Sequence, residues 1–134
     1  MPRVLVVDDE AAIRRALRDI LEFEKYEVVE ANNGTECLVK LKQSKFDVIV
    51  LDIKMPQMDG MDALDRIAIL SPETPVIMIS GHADIDTAVE SVKKGAFDFI
   101  SKPLDLNRLL ITLRNALDKS TLIGEKKALQ RKVQ

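Results

Sequence analysis

Short apolar runs alternate with amphipathic stretches along the chain. Five runs read as strands: Arg3–Val7, Glu27–Ala31, Asp47–Leu51, Pro75–Ile79 and Phe97–Ser101. The first, third and fourth are almost wholly aliphatic or β-branched, as expected of strands covered on both faces of a parallel sheet. Between the runs, apolar residues recur every three or four positions. Ile13, Ala16, Leu17, Ile20 and Leu21 share one helical face, with Arg14, Arg15, Arg18 and Asp19 on the other. Asn33, with Glu36 three residues on, predicts the start of a second helix carrying Cys37, Leu38 and Leu41. Gly60 opens a third with Leu64, Ile67 and Ala68, which Pro72 and Pro75 stop. Asp84 caps a fourth with Ile85, Ala88, Val89 and Val92, ended by Gly95, and Asp105 caps a fifth built on Leu109, Leu110, Leu113, Ala116 and Leu117.

Five strands, each followed by a helix, predict a doubly wound α/β sandwich. Parallel strands need right-handed crossovers, which place helices on both faces of the sheet. With 134 residues the chain is one domain, and an eight-fold barrel, which takes about 250, is excluded. The single cysteine, Cys37, rules out an internal disulfide framework, suits a reducing compartment, and has no basic neighbour in the sequence to make it reactive. Apolar runs of four residues are far short of the 18 or so of a membrane span, and Asp8 and Asp9 arrive before a signal-peptide core could form. A cytoplasmic protein is expected. The net charge of −2 is uneven: residues 1–118 carry 15 basic and 21 acidic side chains, residues 119–134 carry 5 and 1. An acidic body argues against nucleic-acid binding by the globular part.

In open sheets of this kind ligands bind beyond the carboxyl ends of the strands. Those ends bring Asp8, Asp9 and Glu10 after the first strand, Asp52 after the third, Ser80 after the fourth and Lys102 after the fifth. Carboxylates converging on one crevice repel one another and are held ionised by a hard divalent cation with oxygen ligands, Mg²⁺ or Mn²⁺. A lysine supplies a compact positive charge for phosphate oxygens, and a serine hydroxyl a donor. Carboxylate nucleophile, metal, lysine and hydroxyl together fit phosphoryl transfer. Each alone has an ordinary reading as a cap, turn residue or surface charge; the set at four strand ends carries the specificity.

Four segments, Val4-Leu-Val-Val-Asp-Asp-Glu10, Asp47-Val-Ile-Val-Leu-Asp-Ile-Lys-Met-Pro-Gln-Met-Asp-Gly60, Val76-Ile-Met-Ile-Ser-Gly81 and Gly95-Ala-Phe-Asp-Phe-Ile-Ser-Lys-Pro103, carry a resemblance. Over residues 3 to about 118 the chain resembles the receiver domains of bacterial two-component response regulators. The resemblance implies a flavodoxin-like (βα)5 sandwich with strand order 2-1-3-4-5. It implies that Asp52 accepts a phosphoryl group from a sensor histidine kinase, and that Mg²⁺ is held by Asp9, Asp52, the Lys54 carbonyl and, through water, Asp8. Lys102 would pair with a phosphoryl oxygen, preceding a cis bond to Pro103, and Ser80 would bond another in the active state. Phe99 would be the aromatic partner of Ser80 in the switch, without the hydroxyl of the tyrosine often found there. Lys54 and His82 would tune dephosphorylation. Such a domain assists its own phosphorylation and dephosphorylation but is not an enzyme with a separate substrate.

Within that family, Ser80-Gly-His-Ala-Asp-Ile-Asp-Thr-Ala-Val-Glu and Lys94-Gly-Ala-Phe-Asp-Phe-Ile-Ser-Lys-Pro-Leu resemble the NtrC/NtrX type. That type implies σ54-polymerase and DNA contacts only through output domains, and this sequence holds neither a Gly-rich phosphate loop nor a helix-turn-helix segment. Residues 1–118 are thus expected to form the receiver, and 119–134 a helical extension or linker. The implied homodimer would use the face of the fourth helix, fifth strand and fifth helix, the extension, or both; Leu122 to Leu129 is a single heptad that Gly124 interrupts. Two rival chemistries fit less well. A haloacid-dehalogenase-type phosphohydrolase needs an Asp-x-Asp pair, but Ile53 and Lys54 follow Asp52; a flavodoxin needs a hydroxyl-rich phosphate loop where Asp8-Asp9-Glu10 would repel phosphate.

Overall fold

The computed structural model describes residues 1–81 and 85–133, with side chains through residue 119. Its elements alternate as β1 (Arg3–Val7), α1 (Ala11–Phe23), β2 (Glu27–Ala31), α2 (Gly34–Gln43), β3 (Val48–Asp52), α3 (Gly60–Leu70), β4 (Val76–Ser80), α4 (Ile85–Lys93), β5 (Asp98–Ser101) and α5 (Leu106–Val133). The strands form one five-stranded sheet in the order β2-β1-β3-β4-β5, with every neighbouring pair parallel.

The continuous apolar runs have a simple cause. Successive side chains of a strand point to opposite faces, so a strand covered on both sides needs apolar residues at both parities. Leu5, Val7, Ile49, Leu51 and Met78 pack on one side with Cys37, Leu64 and Ile67 from α2 and α3. Val4, Val6, Val50, Ile77 and Ile79 pack on the other with Leu17 and Leu21 of α1 and Leu109, Leu113 and Ala116 of α5. The central strands are thereby sealed, and their polar last residues are drawn into a dry environment.

Two strands, β3 and β4, are displaced by a residue from the sequence expectation, and β5 begins a residue later. Ile53 N–H donates to the Ile79 carbonyl at 3.0 Å, so the ladder runs on to include Asp52, and Ser80 pairs with Ser101. Asp52 and Ser80 are therefore the last residues of their strands rather than the first of the loops. Asp47, Pro75 and Phe97 lie just outside.

The helix ends follow the caps read from the sequence where these are described. Asn33 accepts from Glu36 N–H at 2.8 Å and Asp105 accepts from Arg108 N–H at 3.3 Å; for α3 the cap is Asp59, not singled out from the sequence, which accepts from Asp62 N–H at 3.0 Å. Gly95 ends α4 at φ +103°, a conformation open to glycine. The expected cap Asp84 lies outside the described residues. The apolar stripe of α4 is a correction: Ile85, Val89 and Val92 are exposed, and Ser91 is the residue turned inward. Its hydroxyl donates to the Ala88 carbonyl at 2.8 Å, which satisfies the buried group, and these small residues let α4 lie close to the sheet. Ala16 and Ala68, expected on apolar faces, are likewise exposed. The fifth helix continues through Gly124 to Val133 without a break.

Candidate functional site

Because all strands run in one direction, their carboxyl ends lie on one rim of the sheet, and the loops there gather the polar residues. Asp8 follows β1, the centre of the constellation. It is fully buried, and each of its polar atoms is engaged. Its N–H donates to the Ala31 carbonyl at 3.2 Å, and its carbonyl accepts from Arg14 Nη1 at 2.6 Å. Its Oδ1 accepts from Glu10 N–H at 2.9 Å, and its Oδ2 accepts from Lys102 Nζ at 3.0 Å. Asp52, with 3% of its surface exposed, ends β3 beside it, its Oδ1 3.5 Å from the same ammonium. Lys102 thus spans two carboxylates while its backbone N–H donates to the Ser80 carbonyl at 2.8 Å, anchoring the lysine to β4. The Lys102–Pro103 peptide is cis. Ser80 is buried beside them.

The charges are strained in one direction. Burial, then the charge of Asp8, pushes the Asp52 carboxyl up to about 6, and Lys102 offsets only part of this. For Lys102 burial pulls downward, but the hydrogen bond and charge of Asp8 and the charge of Asp52 outweigh it, so its ammonium titrates above the ordinary lysine range. A protein that holds two carboxylates against one ammonium has an unmet demand for positive charge at this rim. Oxygen donors of Asp8, Asp9 and Glu10 lie within 4.8 Å of one another, with Asp9 and Glu10 exposed. An all-oxygen, anionic donor set of this kind fits a hard cation such as Mg²⁺.

The segment after Asp52 is pinned on both sides. Ile53 and Met55 are buried, Gln57 takes a left-handed φ of 71°, and Met58 N–H donates to the Pro56 carbonyl at 2.9 Å. Gly60 N–H donates to the Ile53 carbonyl at 2.6 Å, which brings α3 against the end of β3. A Cβ at position 60 would lie 2.4 Å from the Asp52 carbonyl oxygen and 2.6 Å from Ile53 Cα. Only glycine permits this approach.

The remaining residues singled out from the sequence are spread around this centre. Lys54 is exposed, two residues beyond Asp52. Phe99 is half-buried on the sheet face that packs α2 and α3. Its N–H donates to Asp98 Oδ1 at 2.7 Å and its carbonyl accepts from Arg108 at 3.0 Å. His82 lies outside the described residues. Cys37 is buried and its thiol is pushed up to about 12 by burial, which makes it a core residue. Reading by residue type and spacing missed two contributors: Gly60, read only as a helix start, and Arg14, read only as part of a charged face. A glycine directly after a capping aspartate was a usable signal for the first. Nothing in the periodicity signals the second, because it shows which side a residue faces and not how far an arginine reaches.

The geometry and the comparisons with known proteins agree. The description "Response regulator receiver domain" matches residues 4–114. Transcriptional regulatory protein ZraR of Klebsiella oxytoca is 40% identical over 114 residues, covering 85% of this chain and 26% of that protein. Nitrogen assimilation regulatory protein NtrX of Azorhizobium caulinodans is 38% identical over 133 residues, covering 98% and 29%. The solution structure of the beryllofluoride-activated NtrC4 receiver domain dimer superposes with a TM-score of 0.85 at 45% identity, covering 90% of this chain and 99% of that one. The chain spans just over a quarter of the length of these curated relatives. No helix among the described residues is long and apolar enough to cross a membrane. A five-stranded parallel sheet ordered 2-1-3-4-5, an acidic rim closed by a lysine and a family match over most of its length make this chain a member of the response regulator receiver domain family.

Proposed function

We propose that the chain is the phosphoacceptor of a two-component system, taking a phosphoryl group from a sensor histidine kinase onto Asp52 in a Mg²⁺-dependent reaction. The observation that carries this reading is the buried Asp52 carboxylate beside Asp8 and Lys102 at the carboxyl rim of the sheet. An Asp52 oxygen attacks phosphorus, the bond from phosphorus to the donor imidazole breaks, the imidazole leaves, and an acyl phosphate remains. Asp9, Asp52 and the Lys54 carbonyl would hold Mg²⁺ directly and Asp8 through water, Glu10 adding its charge nearby. When bound, the cation supplies the positive charge that the carboxylates and the phosphoryl oxygens share.

The chain's own residues do the rest. Lys102, already between two carboxylates, gives its ammonium to a phosphoryl oxygen once one arrives, and the Ser80 hydroxyl takes another. Phosphorylation adds about two negative charges, and the group shifts the conformational balance only by interacting differently with the two states. Ser80 and Phe99 are the residues through which that shift passes, and Lys54 and His82 govern access of water to the acyl phosphate. A donor reaching Asp52 covers the apolar groove of about 280 Å³ that Ile13, Ile20, Pro103 and Leu104 form beside Lys102. The exposed Ile85, Val89 and Val92 of α4, with Ile111 of α5, give the α4–β5–α5 face an apolar surface for a homodimer. Residues 1–118 act as the receiver and 119–134 as the helical connection to σ54-type ATPase and DNA-binding output domains of a cytoplasmic transcription activator.

Intact mass after incubation with acetyl phosphate tests the acceptor. One added phosphoryl group that requires both Mg²⁺ and Asp52, and is lost in Asp52→Asn, is the expected result; no gain in the folded protein under any condition refutes it. Sedimentation with and without an acyl-phosphate mimic tests the dimer, which an unchanged monomer at high concentration refutes.

A further inference from the structure

The turn Asp8-Asp9-Glu10 presents the exposed carboxylates, yet a turn of three acidic residues repels itself. One residue brackets it. The backbone N–H of Arg14 donates to the Glu10 carbonyl at 3.1 Å, and its side-chain Nη1 donates to the Asp8 carbonyl at 2.6 Å. Asp9 sits between these two held carbonyls. The guanidinium also donates through Nη1 to Asn32 Oδ1 at 3.1 Å and through Nε to Glu30 Oε1 at 3.2 Å. With 16% of its side chain exposed, Arg14 is the most enclosed arginine of this group, and Glu30 is held in turn by Arg18 Nε at 2.8 Å.

The contact stands where the sheet runs out. Asp8 N–H makes the last bond of the β1–β2 ladder, to Ala31, and the chain then leaves β2 for the Asn33 cap of α2. No N–H of β2 is therefore placed to take the Asp8 carbonyl, and the guanidinium does so instead. Its planar fork serves three acceptors, Glu30 on β2 and Asp8 and Asn32 in the loops after β1 and β2, which a lysine's single ammonium cannot do in the same geometry.

We propose that Arg14 is a positioning residue of the cation pocket: by holding the Asp8 carbonyl to β2 it fixes the turn that aims Asp9 and Glu10. This rests on the reading of the pocket as a Mg²⁺ site. Groups behind metal ligands typically alter metal affinity by 10- to 100-fold when removed. Arg14→Met keeps the apolar stem and removes the fork; Arg18→Met, on the same helix, removes the other Glu30 ion pair, made by a more exposed arginine, and leaves Asp8 untouched.

Two measurements on the full chain decide it. The first is a Mg²⁺ titration followed by amide chemical shifts, with unfolding in EDTA measured in parallel. Arg14→Met is expected to weaken Mg²⁺ binding about tenfold, Arg14→Lys by less, and Arg18→Met by under twofold whatever stability it loses. The second, free of metal, is hydrogen exchange at the Glu10 amide, which donates to Asp8 Oδ1. It is expected to accelerate in Arg14→Met and not in Arg18→Met. Arg14→Met that matches wild type in both measurements overturns the assignment, and so does an Arg18→Met effect of equal size. A wild-type chain that binds no Mg²⁺, or binds it without Asp9, refutes the cation-site reading instead, and the exchange measurement then still decides whether Arg14 sets the turn.

Discussion

Replacing Asp52 with asparagine removes a charge while keeping nearly the same shape, so its effect isolates the electrostatics of the pocket. Burial and the neighbouring Asp8 hold the Asp52 carboxyl at about 6, against an ordinary 3.8. At about 1.36 kcal/mol per pKa unit, the ionised carboxylate is less well accommodated in the fold than in the unfolded chain by about 3 kcal/mol. The direction with pH follows from the raised value. A group whose pKa is higher in the folded state stabilises the fold fully below its unfolded pKa, and that contribution is lost as pH rises through the folded one. The window therefore runs from about pH 4 to above pH 6, and at neutral pH the wild-type fold carries the whole penalty. In EDTA near neutral pH, Asp52→Asn is expected to be more stable by about 2–3 kcal/mol, with a melting midpoint raised by roughly 10 °C. The chain has no tryptophan, so urea unfolding followed by circular dichroism is the suitable assay. The gain should fall to about 0.5 kcal/mol at pH 4 and disappear below about pH 3, where Asp52 is largely protonated in both states, and it should shrink on adding Mg²⁺, which stabilises only the wild type. An asparagine variant no more stable than wild type near neutral pH, or a gain that persists at low pH, would refute the account of a charge held at a cost.

Three further outcomes are expected. Gly60→Ala, whose Cβ would meet backbone at 2.4 Å, should cost about 2–4 kcal/mol and slow acetyl-phosphate labelling of Asp52, because the clash falls on the acceptor's own carbonyl; wild-type stability and labelling would contradict it. Lys25, at φ 70°, ends α1 where Tyr26 N–H returns to the Leu21 carbonyl, so Lys25→Gly should raise stability by about 0.5–1 kcal/mol in thermal melts, and an unchanged or lower midpoint would count against a strained position. Cys37, buried with its thiol pushed up to about 12, should resist aromatic disulfide reagents in the native protein and react on unfolding; rapid native labelling would show that the core opens there.

Much of this molecule is visible in its residues, and the exceptions have physical causes. Strands sealed on both faces leave no alternation to misread, so β1, β3 and β4 are recognised by aliphatic content alone. Asp52 and Ser80 are the counterexample: a polar residue at a strand end looks like the start of a loop, and only the ladder bond from Ile53 to Ile79 shows that the strand continues. The stripe of Ile85, Val89 and Val92 has ideal helical spacing, but spacing does not say whether the apolar side meets the sheet or solvent, and here Ser91 takes the inward place. The rim was found because its residues differ in type and end different strands. Arg14 was not, because its role depends on one carbonyl lying beyond the end of the β1–β2 ladder.

The unbroken fifth helix has a mechanical consequence. It begins close to Lys102 and Pro103 and runs away from the carboxyl rim, with Leu109, Leu113 and Ala116 seated on the sheet. The 17 residues after Ala116 extend about 25 Å at 1.5 Å per residue. With the seated part as fulcrum, a tilt of about 10° carries the far tip through roughly 4 Å, more than the length of a hydrogen bond. A lever arm of this kind makes a rearrangement too small to expose new surface large enough to be felt at the opposite end of the molecule.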